Sequence, residues 1–191
     1  MSHDAVLGWL DANHEHLVRD LADLVAVQSI STDGEHDAEI RQSADVTCDQ
    51  MRAAGLENVA VLKTSDSLPY AYGEWLDAPG KPTVFLYAHH DVQPVNFIDQ
   101  WVGDPWKLTR RDGRLFARGA ADDKGAISAF LGAIAAYRKT GNTLPVNIKM
   151  VALGTFDSCT QMAFSPHLAI FSVIIRFRFH ASATKIGRAH V

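Results

Sequence analysis

The chain has 191 residues, 47% of them hydrophobic and 21% charged, with a formal net charge of −4. That length suits one domain, or a domain with a piece of another, and the composition is that of a soluble globular protein. An acidic balance leaves no basic field for nucleic acid. The two cysteines, Cys48 and Cys159, are too few for a disulfide framework or a cysteine-based zinc site, which fits a reducing compartment. The longest apolar run, Leu168 to Ile175, is far short of a membrane span. The polar N-terminus has no export signal. A cytoplasmic protein with neither a membrane nor a nucleic-acid partner is expected.

Along the chain, Val6, Leu10, Leu17, Leu21, Leu24 and Val25 recur at helical spacing and predict a helix over about 5–27. A second helix is expected over 37–54, with Gly55 as its C-terminal cap. Short strands follow at 59–62 and 70–75, and 78–82 reads as a turn. Residues 83–88 form an apolar, β-rich run of the kind buried in a central sheet. Strands at 107–110 and 114–116 flank Asp112-Gly113, a strong hairpin signal. A loop at 119–125, a largely apolar helix at 126–138 and a buried strand at 146–152 complete the series. This order predicts an α/β fold with a mixed sheet flanked by helices. Its chemistry belongs at the carboxyl ends of the strands.

Two clusters carry ligand-type residues. His89-His90-Asp91-Val92-Gln93-Pro94 follows the buried strand directly. Residues i and i+2 of an extended chain share a side, so His89 and Asp91 face together and His90 points away. A metal-bound imidazole commonly has its second nitrogen held by a carboxylate, although a His near an Asp also serves as a surface hydrogen bond. The second cluster, Gly119-Ala120-Ala121-Asp122-Asp123-Lys124-Gly125, places Asp122 33 residues after His89 and just before a helix. Its ordinary reading is a helix N-cap; its functional reading is a carboxylate that bridges two cations. The separation leaves room for a hairpin that returns the chain to the same sheet edge.

In combination, Tyr87–Pro94, the segment Trp101–Trp106, Asp112-Gly113-Arg114-Leu115 and Arg118–Gly125 resemble the dinuclear zinc exopeptidases. That family includes the carnosinases, succinyl-diaminopimelate desuccinylase and acetylornithine deacetylase. Gln93 and Asp123 resemble its dipeptidase branch. The resemblance spans about residues 5–152 and implies hydrolysis of a small peptide by a water held between two zinc ions. It implies that His89 and Asp122 are metal ligands, Asp122 bridging both ions, and that Asp91 is the active-site carboxylate orienting His89. It further implies a cis peptide between Asp122 and Asp123, and a homodimer in the full-length members. His90, where the family often has an aromatic residue, reads as packing. Lys124 reads as a structural ion pair, and His14, His16 and His36 as solvated side chains. The four tryptophans read as core or domain-edge packing.

The pattern breaks after residue 152. The family's general base and next ligand are glutamates there, whereas this chain has Leu153-Gly154-Thr155-Phe156-Asp157. Phenylalanine accepts no proton, and aspartate is a shorter ligand; a one-metal site using Asp157 is the remaining alternative. Residues 168–179 have the composition of an aggregation-prone strand, and Lys185–Val191 resembles translated sequencing-library adapter. The expectation is therefore the N-terminal part of a catalytic domain over 1–152, followed by an atypical, frameshifted tail over 153–191. Such a fragment is expected to be inactive by itself, with a weakly metal-binding, non-enzymatic product as the alternative.

Overall fold

The computed structural model describes residues 3–63 and 67–155. The helical periodicity at the N-terminus becomes α1 (His3–Ala26), which buries Val6, Leu21, Leu24 and Val25 along one stripe. Helix α2 (Asp37–Ala54) ends where Gly55 turns to φ +94°, a left-handed cap that needs no Cβ. Strands β1 (Glu57–Leu62), β2 (Tyr70–Trp75) and β3 (Thr83–His89) follow, then β4 (Thr109–Arg111) and β5 (Arg114–Phe116). Helix α3 (Lys124–Lys139) and strand β6 (Asn147–Leu153) close the described chain. Among the described residues, no helix is long and apolar enough to cross a membrane.

The main sheet has the order β1-β2-β6-β3. β6 pairs antiparallel with β2 and parallel with β3, so the sheet is mixed as expected. A parallel pair needs a crossover between its strands; here the β4–β5 hairpin and α3 make it. The core lies between the sheet and the helices. Ala71, Trp75, Leu86, Ala88, Ile148, Met150 and Ala152 meet Leu24, Met51, Ile127 and Ile134 there. Burial alternates along β2, which therefore turns one face to the helices.

Several boundaries shift by one or two residues from the expectation, and two of the shifts have a visible cause. Asp112 and Gly113 both adopt positive φ, +50° and +71°, as a two-residue hairpin turn requires. That turn makes Arg111 and Arg114 the closing pair, so β4 covers 109–111 rather than 107–110. Helix α3 starts at Lys124 rather than Ala126, because the Asp123 carbonyl already accepts from the Ala126 and Ile127 N–H groups at 3.0 and 3.4 Å. The expectations for Phe156, Asp157 and the tail concern residues outside those described.

Candidate functional site

Strands β3 and β6 run in parallel and end together, with His89 opposite Leu153. The ladder continues one step further, the His90 N–H donating to the Leu153 carbonyl at 2.8 Å. The loop before α3 reaches the same corner. There the Asp123 carboxylate accepts from the His89 backbone N–H at 3.3 Å. A cis peptide joins Asp122 to Asp123.

His89 lies between two carboxylates. Its Nδ1 is 3.0 Å from Asp91 Oδ1, and its Nε2 is 3.0 Å from Asp122 Oδ1. Asp91 is buried, and its other oxygen accepts from Ser31 Oγ at 2.5 Å. The Asp122 side chain is instead 88% exposed, so the inner carboxylate is fixed by protein and the outer one faces solvent.

The electrostatics follow this geometry. Burial opposes charge on His89, but the hydrogen bond and charge of Asp91, with Asp123 and Asp122 behind it, push its pKa up to about 9. Burial raises the Asp91 carboxyl, and its bonds from His89 and Ser31 outweigh that and hold it below the ordinary range. Asp123 is raised by burial.

His89, Asp91 and Asp122, singled out in the sequence, are thus brought together. His90 is turned into the protein and fully buried; its Nε2–H donates to the Pro69 carbonyl at 3.1 Å. Burial brings its pKa down to about 4. Lys124 corrects an expectation. It is fully buried, and its Nζ donates to the Leu24 and Val27 carbonyls at 2.8 Å each instead of forming an ion pair. Burial lowers its pKa to about 7. His14 and His16 are exposed, 3.6 and 3.7 Å from the Glu15 and Asp20 carboxylates, and half-buried His36 pairs with Asp33 at 2.9 Å. Trp75 is in the core, and Trp9 packs against it.

Four contacts were not legible in the sequence. Ser29 and Ser43 donate to the His90 carbonyl at 2.7 and 3.1 Å, Ser31 holds Asp91, and Asp123 holds the His89 backbone. The serines lie about sixty and forty-seven residues from their partners, and no local pattern marks such long-range bonds. Asp123 was marked in the sequence by the resemblance to the dipeptidase branch and by the expected cis peptide, but its bond to the His89 backbone was not.

The donor set suits a borderline cation such as zinc, which takes imidazole nitrogen and carboxylate oxygen at about 2.0–2.2 Å. Two such donors on one tetrahedral ion lie roughly 3.3 Å apart by that geometry, close to the 3.0 Å between His89 Nε2 and Asp122 Oδ1. Among the described residues, no cluster of three or more His, Cys, Asp or Glu can hold a metal ion. The described residues therefore offer a pair of donors.

Fold and site together define an α/β protein with a polar, titratable cluster at the carboxyl ends of its parallel strands. Residues 85–155 match the family described as Peptidase family M20/M25/M40. The chain is 34% identical over 157 residues to the Beta-Ala-His dipeptidase of Mus musculus, covering 76% of this chain and 32% of that protein. It is 42% identical over 97 residues to the succinyl-diaminopimelate desuccinylase of Xylella fastidiosa, covering 49% of this chain and 25% of that one. The crystal structure of human carnosine dipeptidase 1 superposes with a TM-score of 0.74 at 32% identity, covering 81% of this chain and 35% of that one. Residues 85–155 thus carry a segment of the Peptidase family M20/M25/M40 domain. The chain spans about a third of the length of the dipeptidases it matches.

Proposed function

We propose that this sequence derives from a zinc-dependent dipeptidase that hydrolyses a small peptide, and that residues 1–152 are the N-terminal part of its catalytic domain. The observation that carries the reading is the imidazole of His89, buried against Asp91 on one nitrogen and facing exposed Asp122 on the other. Similarity to Beta-Ala-His dipeptidase and to carnosine dipeptidase 1 supports the peptide substrate.

In this reading His89 Nε2 and the Asp122 carboxylate would hold the metal. The chemistry the metal supplies is polarisation of the scissile carbonyl and acidification of a water. Asp91 keeps the proton on His89 Nδ1, which leaves the Nε2 lone pair for the metal and makes it more basic. Ser31 fixes Asp91 in turn, and the Asp123 carboxylate fixes the strand end through the His89 N–H.

Sequence bears on the activity of this particular chain. Phe156 stands where the family resemblance implies a glutamate base, and Asp157 is the sole acid from 156 to 191. We therefore infer that the chain binds metal weakly and turns over little peptide, with 153–191 an atypical tail. Metal content by mass spectrometry and β-alanyl-histidine hydrolysis test this reading. Weak zinc uptake that is lost in His89→Ala is the expected result. No zinc uptake at any concentration overturns the ligand assignment, and chelator-sensitive turnover overturns the inferred inactivity.

A further inference from the structure

Lys124 is an unusual residue to bury at the first position of a helix. A cation is disfavoured beside a helix N-terminus, where the backbone dipole is positive. Lys124 does not leave its amine there. Its side chain runs to the opposite kind of helix end, where Nζ donates to the Leu24 and Val27 carbonyls at the C-terminus of α1. Leu24 is in the last turn of α1 and Val27 follows its end, where carbonyls lack the regular i+4 partner; each also accepts a backbone N–H, from Val27 and Ser29 at 3.2 and 2.9 Å. The stem passes beneath the loop that carries Asp122: a Cβ on Gly119 would lie 3.3 Å from Lys124 Cδ and 2.7 Å from Val92.

The segment that follows α1 grips the other half of the site. The Val92 N–H donates to the Ser29 carbonyl at 2.9 Å, Ile30 bridges Val92, and Ser31 Oγ donates to Asp91. Ser29 Oγ donates to the His90 carbonyl at 2.7 Å. Residues 24–31 therefore touch both halves of the site. One end holds the 122–124 loop through Lys124, and the other holds the His89–Val92 turn through Ser29, Ile30 and Ser31. Between those two attachments stands the 3.0 Å contact of His89 Nε2 with Asp122 Oδ1. Exposed Asp122 has no burial of its own to fix it, so its place depends on what anchors the residues after it.

We propose that Lys124 is a positioning residue, which fixes Asp122 against His89 by tying the start of α3 to the same α1 terminus that holds Asp91 and Val92. Calling His89 and Asp122 metal ligands rests on the proposed function; the tie itself does not. The same arrangement gives the Leu24–Ser31 segment a role in setting ligand spacing, although none of its residues reaches the metal side of the imidazole.

Native-state hydrogen exchange on the metal-free full chain tests the tie directly. In the wild type the Lys124 amide, which donates to the Gly119 carbonyl, and the Val92 amide, which donates to the Ser29 carbonyl, should exchange through one shared opening, separate from the body of α3. Lys124→Met keeps the stem and removes the amine. It should speed exchange at position 124 at least about tenfold more than at Leu131–Ala136, and Lys124→Arg should restore part of the protection. Independent opening of Lys124 and Val92 in the wild type overturns the proposal even where Lys124→Met fails to fold. So does a uniform rise along α3, the response of a merely structural lysine. Zinc titration then separates the two readings. Wild-type binding that Lys124→Met weakens about tenfold or more, in the range seen for outer-shell partners, supports both. Wild-type binding that Lys124→Met leaves unchanged overturns the positioning role alone. No wild-type binding, with the exchange coupling intact, overturns the ligand assignment and leaves the tie standing.

Discussion

His89 and Leu153 stand opposite one another as the last pair of the parallel β3–β6 ladder. That register brings the end of β6 against the turn after β3, where the Leu153 carbonyl accepts from the His90 N–H, and Gly154 follows close against Pro69.

Gly154 tests this close approach. A Cβ at this position would lie 2.2 Å from the Pro69 carbonyl oxygen and 3.2 Å from Ile40 Cγ2. The first contact is with backbone, which cannot swing aside. Gly154→Ala is expected to destabilise the protein by about 1–3 kcal/mol, the usual cost of overpacking, measured by urea unfolding. An unchanged midpoint would show that the strand end is looser than described.

Asp91→Asn keeps the shape of the buried partner and removes its charge. In the metal-free protein His89 is held up to about 9 against an ordinary 6.5. The stability from this pair is thus complete below about pH 6.5 and is lost as pH rises through 9. Asp91→Asn should lower the His89 pKa and flatten that alkaline loss, as read by NMR titration of the imidazole together with unfolding at several pH values. Zinc affinity should fall by about 10–100-fold, as for other outer partners of metal-bound histidine.

Asp122 gives the opposite result. Its side chain is 88% exposed, so Asp122→Ala should change folding stability by no more than about 0.5 kcal/mol. Metal binding should nevertheless be lost. Calorimetric unfolding beside zinc titration separates the two effects, and retained binding would remove Asp122 from the ligand set.

His90 contributes an acid-side dependence. Its folded pKa is depressed to about 4 by burial, so the neutral ring is the stable one. Its contribution is present above about pH 6.5 and is lost as pH falls towards 4. His90→Phe should remove this part of the acid destabilisation, visible as a shallower fall in unfolding midpoint between those pH values. A slope identical to wild type would place the acid sensitivity elsewhere.

Much of this protein was readable before any coordinates. The stripe from Val6 to Val25, the cap at Gly55, the Asp112-Gly113 turn and the apolar runs of β3 and β6 are local signals, and local backbone preference realises them. The proximity of His89 and Asp91 also followed from their spacing, since alternate residues of an extended chain share a side. Tertiary structure alone decided the rest. Asp122 meets His89 across 33 residues, Ser31 meets Asp91 across 60, and Lys124 reaches Leu24 across 100. Such contacts depend on strand register and helix placement, which a one-dimensional pattern does not encode. The buried amine of Lys124 shows the reason most plainly. A lysine among glycines and aspartates reads as an ion-pair partner, and only the packing of α1 against α3 turns it towards two carbonyls.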